Sequence, residues 1–233
     1  LFLLRKESPN FKHAPHIKSL LLLTFIFINF EAFSQEHFSA LGETSFGLNK
    51  KVSETYGINF TLRSRYFLYK DEQLKYNQQQ IDLYHFSKLK LDKRHSLSLG
   101  TYYRTRDLFN SGSNELRFTQ QFTYKKQSPN MRFSHRLRAE QRFLKNKTIF
   151  RERYRFSLNL PINNDTYFIG ALEGLLSLTK QTTLELDERS TAQFGWLLSD
   201  TLKLQAGLEH RLETFNIEPQ HYVFVLTTAV INI

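Results

Sequence analysis

Between Met131 and Phe143, Arg132, Arg136, Arg138, Glu140 and Arg142 fall on alternate positions. The next segment repeats the spacing with Arg151, Arg153 and Arg155. A guanidinium is planar, permanently charged and carries a fork of N–H donors that fits carboxylates and phosphates two bonds at a time. Arginines at this spacing therefore do the chemistry of anion holding, by an internal carboxylate or by a bound anion. Arg63, Arg65, Arg104, Arg106, Arg117, Arg189, Lys203 and Arg211 extend the same polar face. Glu140, Glu173, Glu209 and Glu213 share it, with Glu43 and Asp82 open additions.

Other chemistries find less support. His85, His95, His135, His210 and His221 are the histidines considered for an outer-wall hydrolase, and His85, His135 and His210 share the parity of the apolar face. A serine hydrolase needs a serine, a histidine and an orienting acid that converge in space, and no spacing here singles out such a set. There is no glycine-rich phosphate loop and no His-x-x-x-His pair after residue 34. Cysteine is absent, which rules out a disulfide framework and cysteine-based zinc sites. No cofactor or metal is expected.

Alternate spacing dictates the element. In a strand successive side chains point to opposite faces, whereas a helix would scatter these charges around its circumference. In 131–143, Met131, Phe133, Leu137, Ala139 and Phe143 oppose the charged positions. In 149–160, Phe150, Tyr154, Phe156, Leu158 and Leu160 oppose the arginines. The period recurs in 55–69, 96–106, 115–124 and 201–213, and more weakly in 38–48, 79–91, 166–177, 188–198 and 221–232. These segments run about 9–15 residues, which suits a tilted membrane strand of ~9–11 better than the ~5–6 typical of soluble sheets.

Proline cannot donate to a ladder, and Pro129, Pro161 and Pro219 are expected between strands. Connections at 92–95, 126–130, 161–165 and 199–200 are short, and those at 70–79, 107–114, 179–187 and 214–220 are longer. Short periplasmic turns and longer outer loops are the habit of outer-membrane barrels, although 144–148 is short where a long loop is expected. Eleven segments conflict with the even strand numbers of bacterial barrels. Turn alternation favours ten, with 38–48 as a lead-in outside the wall; a missed strand would give twelve. The expected fold is all-β: one antiparallel up-and-down transmembrane barrel of 10–12 strands.

Ahead of it, His13, His16 and Lys18 precede the apolar run 20–30, and Ala32-Phe33-Ser34 offers small residues for cleavage before Gln35. That reads as a signal peptide over 1–34, with 1–11 open to being extraneous, and a barrel over 35–233. The net charge is +10, and loss of 1–34 takes four basic and two acidic residues, leaving +8. A mean hydropathy of −0.45 beside 22 Phe and 11 Tyr fits a wall apolar on one face only. Tyr66, Phe67, Tyr69, Tyr102, Tyr103, Tyr154 and Tyr167 are expected in interfacial girdles, with an inward direction open for Tyr102 and Tyr167.

The runs Arg136-x-Arg-x-Glu-x-Arg142, Arg151-Glu-Arg-Tyr-Arg155 and Ala171-Leu-Glu173 resemble a family of uncharacterised outer-membrane β-barrel proteins of Gram-negative bacteria, classed as a domain of unknown function. Arg63 and Arg65, Gly100-Thr-Tyr102 and Gly207-Leu-Glu-His210 belong to the same likeness, which runs from about Phe38 to Ile233. The resemblance implies fold and outer-membrane location and implies no reaction. The terminal Ala229-Val-Ile-Asn-Ile233 looks like the apolar signal read by the barrel-assembly machinery.

Three roles follow. The interior is a salt-bridged polar filling; or it is a positively charged lumen that binds or passes small anionic solutes; or the wall carries an enzyme for lipid or lipopolysaccharide. Expected partners are outer-membrane lipid, lipopolysaccharide and the assembly machinery. Nucleic acid is not expected, because aromatics and arginines lie on opposite faces rather than on one basic, aromatic patch.

Overall fold

The computed structural model describes residues 39–70, 73–106, 114–128, 130–179 and 184–233. The leader 1–34 and most of the loop at 107–114 lie outside them.

Alternating sequence becomes strand after strand. In chain order these are β1 (Ser39–Lys51), β2 (Tyr56–Lys70), β3 (Gln73–Lys90), β4 (His95–Thr105), β5 (Glu115–Ser128) and β6 (Met131–Leu144). They continue as β7 (Thr148–Pro161), β8 (Thr166–Thr179), β9 (Glu185–Leu197), β10 (Leu202–Glu213) and β11 (Gln220–Asn232). Sequential neighbours pair antiparallel, and β1 closes on β11 to complete a barrel. Two strands outrun expectation: β3 begins at Gln73 and β9 at Glu185, where loops were expected. Pro161 ends β7 rather than standing beyond it.

The expected even number is corrected. Segment 38–48 is no lead-in, because β1 pairs with β2 on one side and with β11 on the other. An odd number of alternately directed strands leaves the first and last codirectional. The seam is accordingly parallel, from Ser39↔Tyr222 to Asn49↔Asn232. Thr44 and Thr227 hydroxyls meet across it at 2.9 Å, and the Asn49 amide donates to Asn232 at 3.0 Å.

One end of the barrel repeats a single turn device. The amides of Val52, Leu91, Ile162 and Leu198 donate to the carbonyls of Tyr56, His95, Thr166 and Leu202 at 2.9–3.0 Å. The next residue, Ser53, Asp92, Asn163 or Ser199, accepts backbone amides with its side chain. These short polar side chains mimic a backbone turn. At the opposite end, Thr214 takes a positive φ of 50° and its amide donates to Asp187 at 2.9 Å. Asn216 exchanges hydrogen bonds with the backbone of Leu184 and Leu186, so the β10–β11 loop lies against the start of β9.

The barrel is apolar outside and polar inside. All eleven strands expose large apolar side chains on the outer wall, Leu99 at 65% and Leu208 at 55% among them. Aromatic rings of Tyr124, Phe133, His135, Tyr154 and Phe156 form a continuous outward cluster across β5–β7. Glu152 and Glu188 interrupt this wall near the starts of β7 and β9. Inside, Leu41, Phe224 and Leu226 form a small apolar cluster packed by Phe67 and Tyr222, and Ile149, Ala171 and Leu175 are buried apart from it. Phe67 is thus corrected from girdle to interior, because it continues the odd-numbered inward face of Arg63 and Arg65 and borders the same cavity. Tyr102 also points inward, at 2% exposure, and Tyr167 lays its ring over Gly195 and accepts from Gln205 at 3.0 Å.

Candidate functional site

Burying a guanidinium is costly unless it is paired, so thirteen inward arginines need an arrangement. The barrel supplies shared carboxylates, each fixed by the register of its strand. Glu43 on β1 accepts from Arg65 at 2.7 Å, Arg63 at 3.3 Å and Arg211 at 3.4 Å. Asp82 on β3, fully buried, accepts from Arg63 at 2.7 Å, Arg104 at 2.9 Å and Gln80 at 3.0 Å. Glu115 on β5 accepts from Arg117 at 2.6 Å and Arg142 at 2.7 Å, with Arg104 at 3.7 Å.

Glu140 on β6 lies opposite Arg151, as the hairpin geometry allows, and takes bonds from Arg117 and Arg153, each at 3.0 Å, with Arg138 at 3.6 Å. Glu173 on β8 accepts from Arg153 at 2.6 Å and from Arg136 at 2.7 Å, one on each oxygen. Glu209 on β10 accepts from Arg211 at 2.5 Å and Thr191 at 3.1 Å.

These pairs form one chain. It starts at Glu209 on β10, crosses to Arg211 and Glu43, and then passes along β2 to β8 through alternate arginines and carboxylates, ending at Glu173 and Arg136. Aromatic faces support it. Arg211 lies 3.7 Å over the Phe224 ring and Arg117 lies 4.2 Å over Tyr102, within cation–π reach. Arg63 also donates to the Tyr84 hydroxyl.

The centre is not filled. A cavity of about 740 Å³ remains, with walls reaching from Ser39 and Lys70 at one end to Asn59 and Ser98 near the other, past Arg138 and Arg153. Its lining holds Arg63, Arg65, Arg104, Arg106, Arg117, Arg136, Arg138, Arg142, Arg151, Arg153, Arg155, Arg189 and Arg211. Glu213 is the one carboxylate among those lining residues. Glu140, Glu173 and Glu209, the other sequence candidates, are buried between the arginines that they hold. Arg132 faces a separate hollow near the short turns, with Arg94 and Lys125.

Two interior acids escaped the sequence reading. Glu115 shares the parity of Arg117 but is the first residue of its strand, where no preceding alternation marks its direction. Asp187 falls in the connection expected at 179–187, whereas it lies inside β9 and holds the Thr214 amide.

Among the described residues the histidines lie on the outer wall or beside a turn. His135 bonds the Tyr154 hydroxyl at 2.7 Å, His210 meets His221 at 3.2 Å, and His95 meets Asp92 at 2.7 Å. His85 Nε2 lies 3.4 Å from the Ser87 hydroxyl, while its Nδ1 is buried without a partner, so no acid orients that ring. Among the described residues no histidine bonds both a serine and a carboxylate, and no cluster of acids and histidines is suited to a metal ion.

A search of the curated proteins finds no match to this chain. Residues 44–220 match a family of proteins of unknown function, DUF2490, and the chain belongs to that family.

Proposed function

We propose that the protein is an outer-membrane β-barrel with a passive role, whose positively charged lumen binds or passes small anionic solutes. One observation carries the reading. The arginine-lined cavity is surrounded by a wall that exposes large apolar side chains on every strand. Soluble monomers rarely carry apolar patches beyond a few hundred Å², so a belt of this extent calls for lipid. Barrels of eight strands are packed with side chains and those of sixteen or more hold a channel. Eleven strands lie between, which agrees with an ion-pair lattice bordering a cavity rather than replacing it.

The short, side-chain-capped turns face the periplasm in this reading, and the longer connections face lipopolysaccharide. Clefts lined by one sign of charge concentrate the opposite ion, and rings of arginine favour anions in pores. Two experiments test the proposal. The full chain should fractionate with outer membranes and show heat-modifiable gel mobility. Refolded into planar bilayers under a potassium chloride gradient, it should give a reversal potential displaced toward that of chloride. Recovery in the soluble fraction would overturn the location, and absent or cation-preferring conductance would overturn passage of anions.

A further inference from the structure

Four pairs of arginines stand directly opposite one another in the ladders: Arg117↔Arg142, Arg138↔Arg153, Arg136↔Arg155 and Arg189↔Arg211. Like charges placed directly opposite destabilise a sheet, so each pair calls for a shared anion. Glu115 bridges the first at 2.6 and 2.7 Å, and Glu140 serves the second at 3.6 and 3.0 Å. The other two pairs are half-served. Arg136 takes Glu173 and Arg211 takes Glu209 and Glu43, while Arg155 and Arg189 have no carboxylate within 4 Å among the described residues.

These two arginines flank one residue of β8 and line the same hollow. Glu173 pairs in register with Arg155 on one side and Arg189 on the other. Both its oxygens are already committed, to Arg136 and Arg153. Arg189 also fills the position on β9 where the ion-pair chain breaks between Glu173 and Glu209, and its Nε is buried with no partner. A small hollow of about 160 Å³ opens at this gap, lined by Arg155 and Arg189 together with Thr191 and Gln193. Arg155 and Arg189 face the main cavity as well, so the gap is reached from it.

Resting on the anion-lumen reading, we propose that the break between β7 and β10 is a binding site for a compact, doubly charged tetrahedral oxyanion, of the phosphate or phosphomonoester class. The anion completes the ion-pair chain: Arg155 and Arg189 donate to it, and the Gln193 amide supplies a neutral donor. The three glutamates that border the hollow have their oxygens engaged by arginines or by Thr191.

The test is ³¹P NMR of inorganic phosphate titrated into the refolded full chain in detergent micelles, with a parallel arm in which phosphatidic acid is incorporated into nanodiscs. Saturable broadening of the free phosphate signal assigns a soluble ligand, and broadening confined to the lipid arm assigns a headgroup. Saturable binding in neither arm overturns the proposal. Arg189→Gln and Arg155→Gln should each weaken binding by about tenfold or more, the loss of one charge-assisted hydrogen bond. Arg106→Gln, which removes a cavity charge away from the gap, should change it less than twofold. All three variants are compared only after they show wild-type heat-modifiable mobility. Equal losses for all three would reduce the effect to the general field of the lumen and overturn the site. Anion-preferring conductance without saturable phosphate binding would sink the site and leave the lumen reading standing.

Discussion

Glu115 shows how the interior depends on single carboxylates. Its side chain is fully buried and holds Arg117 and Arg142, which would otherwise repel each other across β5 and β6. Removing one partner of a buried pair leaves an uncompensated charge, at a cost of about 3–5 kcal/mol. Glu115→Ala should therefore lower the denaturant midpoint of the refolded barrel markedly, whereas Glu54→Ala, whose carboxylate meets Lys51 in open solvent, should leave it unchanged. An equal response from the two would contradict the lattice. Asp92 makes a second residue-level test. The bond from His95, then the backbone amides of Arg94 and His95, hold its carboxyl down to about 2. A depressed carboxyl contributes stability that is present above its unfolded value and is lost as pH falls through the folded one. Carboxyl NMR should thus find Asp92 ionised at pH 3, and titration in the usual range near ~3.9 would show that the turn is not held this way. The arginine face was legible because alternation survives every turn. The pairing was not, because which arginine meets which acid depends on the stagger between strands, which no single segment encodes. Glu115 and Asp187 were missed for a related reason, since residues at strand starts give too few neighbours to establish a period.

The strand boundaries were largely readable from the sequence, since a period-two run ends where Ser, Asp or Asn begins a turn, as at Ser53, Asp92 and Asn163. The starts of β3 and β9 were hard to read because 73–79 offers only Leu74 and Tyr76, and 185–187 only Leu186, as apolar positions, too few to establish a period. The seam was harder to read. Parity shows which face of β1 is polar and says nothing about whether its free edge finds β11. The absence of native cysteine makes this testable. In a Thr44→Cys, Thr227→Cys variant the two thiols occupy positions paired in the parallel ladder, and the native hydroxyls are 2.9 Å apart. Directly paired strand positions fall within the ~4.4–6.8 Å Cα separation that a disulfide spans. Oxidation should join residues 183 apart in sequence and give a gel species of altered mobility that reductant abolishes. A ten-strand barrel, closed by β2 against β11, would leave the thiols unjoined.

At the scale of the molecule, the barrel inverts a soluble protein: leucine and phenylalanine outside, arginine and glutamate within. The net charge of +10 does not specify a partner by itself. Its placement does so in this account, because the arginines border an enclosed cavity while the outer wall has few ionised groups. The proposed membrane location and the proposed anion chamber rest on one proposition about direction, and adjacent residues of β4 test it. Leu97 and Leu99 are exposed on the outer wall, and Ser98 between them is buried and borders the cavity. Each can be replaced singly by cysteine, nitroxide-labelled, reconstituted in lipid and examined by electron paramagnetic resonance with oxygen and a water-soluble nickel chelate as collision partners. Labels at 97 and 99 should collide with lipid-dissolved oxygen and avoid nickel, and the label at 98 should show the reverse. Nickel access at all three positions, or the opposite alternation, would contradict the account.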